Sequence, residues 1–227
     1  LALVLFLGHL VRQIRIETML EHVSSDIDET AHRMLDRLDD TPDHDFTPFP
    51  PPDASVVTAR SSGFLVEVDE QALLAAAAEA DAVIWIDRPV GSDIVAGVPV
   101  ALCWPADGTG GSFTDERLSR LRECVSGALS TGIERTATQD IAYGLRQLTD
   151  VVVRALSPGI NDPTTAIHGL NSSSATLCEL AGYRLGRRPI RDDDDVLRVV
   201  LARPDLPDLL DLVCGQPQIY GASDPTV

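Results

Sequence analysis

Residues 134–166 read Glu-Arg-Thr-Ala-Thr-Gln-Asp-Ile-Ala-Tyr-Gly-Leu-Arg-Gln-Leu-Thr-Asp-Val-Val-Val-Arg-Ala-Leu-Ser-Pro-Gly-Ile-Asn-Asp-Pro-Thr-Thr-Ala, two helical periods meeting at a polar corner. Ile141, Leu145, Leu148, Val152 and Ala155 recur at helical spacing and form one apolar stripe. Ser157-Pro158-Gly159 stops that helix, and Asn161-Asp162-Pro163 starts the next with an Asp N-cap and Pro at the first helical position. The second helix turns Ala166, Leu170, Ser173, Leu177 and Leu180 inward, so the pair is expected to form a helical hairpin. Thr136-Ala-Thr-Gln139 fits a capping box for the first helix, and Arg146, Asp150 and Arg154 stand four apart as a charge ladder, with Asp140 and Tyr143 in the first turns.

The same stretch resembles the signature of a bacterial family of predicted integral membrane proteins, domain of unknown function 2254. There an Arg-Thr-x-x-Gln-Asp step, a helix and Ser-Pro-x-Ile-Asn-Asp-Pro-x-Thr-Ala follow in this order, as they do from Arg135 to Ala166. The resemblance implies a membrane setting and names no activity. Asn171-Ser-Ser-Ser174 is more polar than the family pattern, which bears on the inward packing of the second helix.

Three chemistries compete for the corner. In the structural one, Glu134, Arg135, Asp140, Arg146, Asn161, Asp162, Thr164 and Thr165 satisfy one another and the orphan groups of the helix ends. Thr136, Gln139 and Asp150 belong to the same set. In the ligand reading Arg135 and Arg146 hold an anion at the start of the second helix, against which the Asp162 carboxylate already occupies the positive end of the dipole. In the hydrolase reading Asp140, Asp162 and His168 bind a hard cation, but they lack metal-motif spacing. The structural network is the reading adopted, with no catalytic residues, no metal and no cofactor expected.

Composition narrows the partners. The formal net charge is −17, and all 18 basic residues are Arg. An acidic surface repels nucleic-acid phosphates, and a chain without Lys has no Schiff-base lysine, no P-loop lysine and no lipoyl or biotinyl attachment site. Cys103, Cys124, Cys178 and Cys214 have no CxxC spacing and read as reduced, mostly buried thiols of a cytoplasmic compartment.

The chain opens Leu-Ala-Leu-Val-Leu-Phe-Leu-Gly-His-Leu-Val, an apolar run shorter than the roughly 20 residues that span a bilayer. It is expected to be the end of a transmembrane helix. Arg12 and Arg15 mark the cytoplasmic side, and the helix continues into the cytoplasm through Ile14, Leu20, Ile27, Ala31 and Leu38 over residues 1–39. Glu29-Thr-Ala-His32 has the spacing of a di-iron helix but no second copy, and reads as a solvated face. Ser223-Asp224-Pro225-Thr226 repeats the N-cap grammar of Asn161-Asp162-Pro163-Thr164, and a further helix is expected to begin there.

Asp36 to Asp53 holds six aspartates and five prolines, and residues 40–60 read as an exposed linker. Beyond it, Gly63–Asp69 alternates like a strand, Glu70–Ala80 is an Ala-rich helix, Ala82–Asp87 is a second strand, and Ile94–Trp104 forms two more around Gly97-Val-Pro99. With its glycine turns, residues 61–106 look like the small barrel-sandwich of biotinyl and lipoyl carriers, here used as scaffold. Gly108–Ser112 lacks both phosphate-loop patterns and reads as a loop. Residues 112–227 then form the helical module. Within it Thr114 caps a helix, Asp192–Asp195 make a solvated turn, Val196–Leu201 a strand and Leu206–Val213 a short helix.

The expected fold class is α+β: the end of a transmembrane helix leading into a cytoplasmic region with a small barrel-like β module and an α-helical hairpin module. The expected role is the non-enzymatic cytoplasmic part of a polytopic protein of the bacterial inner membrane. It would be attached through its N-terminal helix, homo-oligomeric and without nucleic acid, and would support assembly or gating of a transport or channel-like part. The alternative is a membrane-coupled sensor of a small ligand or ion, and behind it a metal-dependent hydrolase.

Overall fold

The computed structural model describes residues 2–38, 49–107 and 113–222, and in the first helix the side chains from Ile16 onward. The expectations placed on Gly108–Ser112, on Ser223–Thr226 and on the acidic half of the linker lie outside the described residues. The chain divides into two units. One comprises residues 1–40, 141–184 and 206–227, and the other residues 41–140 and 185–205.

The first unit is helical. It contains α1 (Ala2–Met34), α4 (Ile141–Ala155), α5 (Pro163–Leu180) and α6 (Leu206–Gly221). The amphipathic α4 is its centre and packs against α1, α5 and α6. The stripe read from the sequence is the buried one: Ile141, Leu145, Leu148, Val152 and Ala155 are all inaccessible, each large side chain contributing roughly 1.5–3 kcal/mol. Two glycines bring the helices close. A Cβ on Gly144 would run into the Ile27 side chain of α1, and one on Gly169 of α5 would stand 2.6 Å from Val152 Cγ2. The polar run in α5 is accommodated because fully buried Ser173 donates to Gly169 O at 2.8 Å, closing its hydroxyl within the helix. After α1 the backbone is tied to the end of α5, with Leu38 N donating to Gly182 O and Arg184 N to Asp36 O. Buried Tyr183 lies at this tie, its hydroxyl 3.0 Å from His32 Nδ1 and its ring under the Arg37 guanidinium.

At 33 residues α1 is about 50 Å long. Among the described residues no helix is long and apolar enough to cross a membrane. In α1 the apolar start gives way to Arg12, Arg15, Glu17 and Glu21, so its end at Met34 belongs to a polar-faced helix. α6 extends to Gly221, past the Val213 boundary read from the sequence, and carries Pro217 on its buried face.

The second unit holds two sheets and two helices. β1 (Ser55–Thr58), β3 (Ala82–Ile86), β5 (Pro99–Pro105), β7 (Arg188–Arg191) and β8 (Leu197–Leu201) form a five-stranded sheet in the order β1-β5-β3-β8-β7. Only the β3–β8 pair is parallel. β2 (Gly63–Val68), β4 (Asp93–Ile94) and β6 (Leu129–Gly132) form an antiparallel sheet in the order β4-β2-β6. α2 (Glu70–Glu79) and α3 (Asp115–Gly127) pack on each other, α2 also on β3 and β8 and α3 on β1. Asp69 and Thr114 cap them by accepting from Ala72 N and Arg117 N. The core runs through both sheets and includes Leu65, Leu73, Ile84, Ile86, Val125 and Val199.

This arrangement corrects the barrel expectation. The mixed α+β class holds, but the strands of residues 61–106 do not close into a barrel. β2 and β4 join β6, while β3 and β5 join strands from both ends of the unit. The physical reason is partner choice. β3 is buried along its whole length and needs a neighbour on each edge, which β5 and the distant β8 supply. Ser55–Thr58, inside the stretch read as a linker, pairs with β5 as the edge strand β1. The turns read from glycine are realised, with φ of +89° at Gly91 and +82° at Gly97.

The β7–β8 hairpin is fastened by charge. Glu70 of α2 receives Arg188 at 2.7 Å and Arg203 at 3.2 Å. Arg198, only 11% exposed, bridges Asp81 at 2.7 Å and Asp192 at 2.6 Å. Asp192 also accepts from Val196 N and Asp194 N, so the first aspartate of the acidic turn is a built-in staple. The Arg198 hydrogen bond is the main cause holding its carboxyl below the usual range.

Candidate functional site

The signature residues distribute over both units. In the second unit, the segment between β6 and α4 is held by three contacts. Arg135 approaches Asp140 Oδ2 with Nε at 2.9 Å and Nη2 at 2.7 Å, and the Asp140 side chain is only 2% exposed. The pair rests on Gly91, whose missing Cβ makes room for it: a Cβ there would collide with Asp140 Oδ2 and stand 2.6 Å from Arg135 Nη2. The third contact is Gln139, which accepts from Val68 N at 2.9 Å and donates to Val68 O at 3.4 Å, as a neighbouring strand would at the end of β2. This replaces the expected capping box. The Gln139 amide is committed to a backbone 71 residues away, and α4 starts only at Ile141. Glu134 and Thr136 are exposed.

In the first unit the α4–α5 turn follows the grammar read from the sequence. Ser157 O accepts from Ile160 N and Asn161 N, and Asn161 takes φ +47°, a conformation Asn tolerates. Asp162 caps α5, its carboxylate receiving Thr165 N at 3.2 Å and Thr165 Oγ1 at 2.8 Å. Asn161 and Thr164 are exposed. Arg146 lies 3.1 Å from Asp150 as a partly exposed i,i+4 pair, which confirms that rung of the ladder. Asp150, Asp162 and Thr165 also line a groove of about 430 Å³ with Ile16, Met19 and Arg154. The α1 side of that groove was not legible beforehand, because nothing in the periodicity of α1 says which helix it meets.

His168 of the hydrolase reading lies 3.6 Å from Glu17, and among the described residues no three His, Cys, Asp or Glu side chains gather in a metal-binding group. The thiols differ from the mostly buried set expected. Cys103 is fully buried, its pKa pushed up to about 12 by loss of solvent, whereas Cys124 and Cys178 are exposed and Cys214 is half-buried.

These features define a mixed α+β protein whose signature side chains are largely committed to internal pairs. The chain belongs to the family described as predicted membrane protein, domain of unknown function 2254, whose pattern matches residues 1–227. Among its relatives are an uncharacterized protein of Mycobacterium bovis and one of Mycobacterium tuberculosis, each 36% identical over 236 residues. Each match covers 100% of this chain and 43% of the relative, so the chain spans less than half the length of these proteins. No solved structure matches the chain.

Proposed function

We propose that this chain is the cytoplasmic, non-enzymatic part of a protein of the bacterial inner membrane, and that it supports assembly or gating of the membrane portion as a homo-oligomer. The observation that carries this reading is the Arg135–Asp140 pair, seated on Gly91 with the carboxylate out of solvent. Family membership supplies the membrane setting. A group poised for substrate keeps donors or acceptors free, whereas Asp140, Gln139 and Asp162 all have protein partners at hydrogen-bond distance. Arg135 and Arg146, the two residues of the anion-sensor alternative, each hold a carboxylate already.

The test is reconstitution of the full-length protein in liposomes with assays of solute and ion flux. Wild type should carry a flux or gating response. Arg135→Ala should lose it together with assembly, measured by light scattering in detergent. Flux lost with assembly and melting temperature intact would instead make Arg135 a ligand contact. The side of the membrane is tested separately, by adding an impermeant maleimide to intact cells. Exposed Cys124 and Cys178 should stay unlabelled until the cells are opened.

A further inference from the structure

Between β1 and α3 lies a vestibule of about 460 Å³, bordered by Arg60, Arg122, Glu123, Ser119 and Ser126, two cations against one carboxylate. A smaller chamber of about 130 Å³ lies between the two sheets, walled by Leu65 and Ile94 from one and Ile86 and Val100 from the other, all buried. Thr58, Ala59, Arg60 and Ser126 line both, so the two spaces adjoin. At the chamber rim the hydroxyls of Ser61 and Thr131 are 2.7 Å apart.

The two arginines differ from those already held by carboxylates. Arg120, Arg135, Arg146, Arg188, Arg198 and Arg203 are all bound to carboxylates. Arg60 and Arg122 each donate to a backbone carbonyl, Glu123 O at 3.3 Å and Val56 O at 3.1 Å, and among the described residues neither is neutralised by a carboxylate. A guanidinium has five N–H donors, so most of theirs stay available. The chamber is close in size to apolar cavities of about 150 Å³ that stay dry and admit a benzene-sized guest.

We propose that this is a binding site for a small monocarboxylate, with the carboxylate held by Arg60 and Arg122 and a compact hydrocarbon group in the chamber. The overall charge of −17 disfavours polyanions, which leaves a singly charged ligand as the class that the local cations suit. The site shares no residue with the Arg135–Asp140 pair and stands independently of the supporting role proposed above.

The experiment uses the full-length protein in lipid nanodiscs, with 4-fluorobenzoate as the probe and fluorine NMR line broadening as the readout. Saturable broadening, displaced by benzoate, is expected. Fluorobenzene, without the charge, and trifluoroacetate, without the ring, should each bind at least about tenfold more weakly, the scale of a charged hydrogen bond or a buried ring. Arg60→Gln and Arg122→Gln should each weaken the probe about tenfold. Ala59→Leu, in the wall shared by the two spaces, should abolish binding, and Arg120→Gln, which borders neither space, should leave it unchanged. No saturable binding by wild type, or binding indifferent to both arginine substitutions, would overturn the proposal. If Ala59→Leu fails to fold, the arginine variants decide alone.

Discussion

Arg135 Nη2 lies 2.7 Å from Asp140 Oδ2 directly over Gly91, so a charge pair, a turn glycine and the approach to α4 depend on one another. Arg135→Ala removes the cation and leaves a carboxylate 2% exposed without its guanidinium. Breaking such a pair is expected to cost about 3 kcal/mol in urea unfolding. Arg146→Ala is the contrast. Its exposed i,i+4 pair with Asp150 is worth about 0.3–0.5 kcal/mol, so equal losses in the two variants would contradict this assignment.

Gly91 and Gly97 both take positive φ, yet their surroundings differ. A side chain at Gly97 meets nothing within 4 Å, whereas one at Gly91 collides with Asp140 and Arg135. Gly97→Val should therefore lose only the backbone strain, about 1–2 kcal/mol. Gly91→Val should lose that and the ion pair as well, and should melt well below it. The reverse order in differential scanning calorimetry would reject the seat described for the pair.

The contact of Gly144 with Ile27 sets how closely α4 approaches α1. Gly144→Ala is expected to destabilise the protein by about 1–3 kcal/mol through overpacking. Combining it with Ile27→Ala, which removes both clashing carbons, should cost less than the sum of the two single losses, a favourable coupling measurable in a double-mutant cycle. Strict additivity would mean that the helices do not touch there.

Asp192 gives a pH dependence of defined sign. Arg198 and the amides of Val196 and Asp194 depress its folded pKa below the unfolded value of about 3.9. Its contribution is thus complete above that value and is lost as pH falls through the lower, folded one. Arg198→Gln should flatten this acid limb. Urea titrations at a series of pH values from about 5 downward would show an unchanged limb if the staple were unimportant.

What could be read in advance was local. The burial of Leu145, Leu148 and Val152 follows from helical spacing, the Asp162–Thr165 cap from N-cap chemistry, and the positive φ at Gly91 and Gly97 from the absence of a Cβ. The candidate site was legible only as a set of residue types. The Arg146–Asp150 pair follows from helical spacing, because an i,i+4 contact requires little further chain ordering, whereas the partners of Arg135 and Gln139 do not.

By itself the sequence determined the helical hairpin, its capped turn, the acidic and lysine-free surface and the family. Tertiary structure alone decided that β3 pairs with β8, that Gln139 completes the end of β2, and that Gly91 makes the seat for Arg135 and Asp140. Periodicity and capping depend on residues within one or two turns of each other. Strand pairing and a side chain's hydrogen-bond partner depend on which distant backbone leaves an edge or an amide unsatisfied, and no local pattern encodes that.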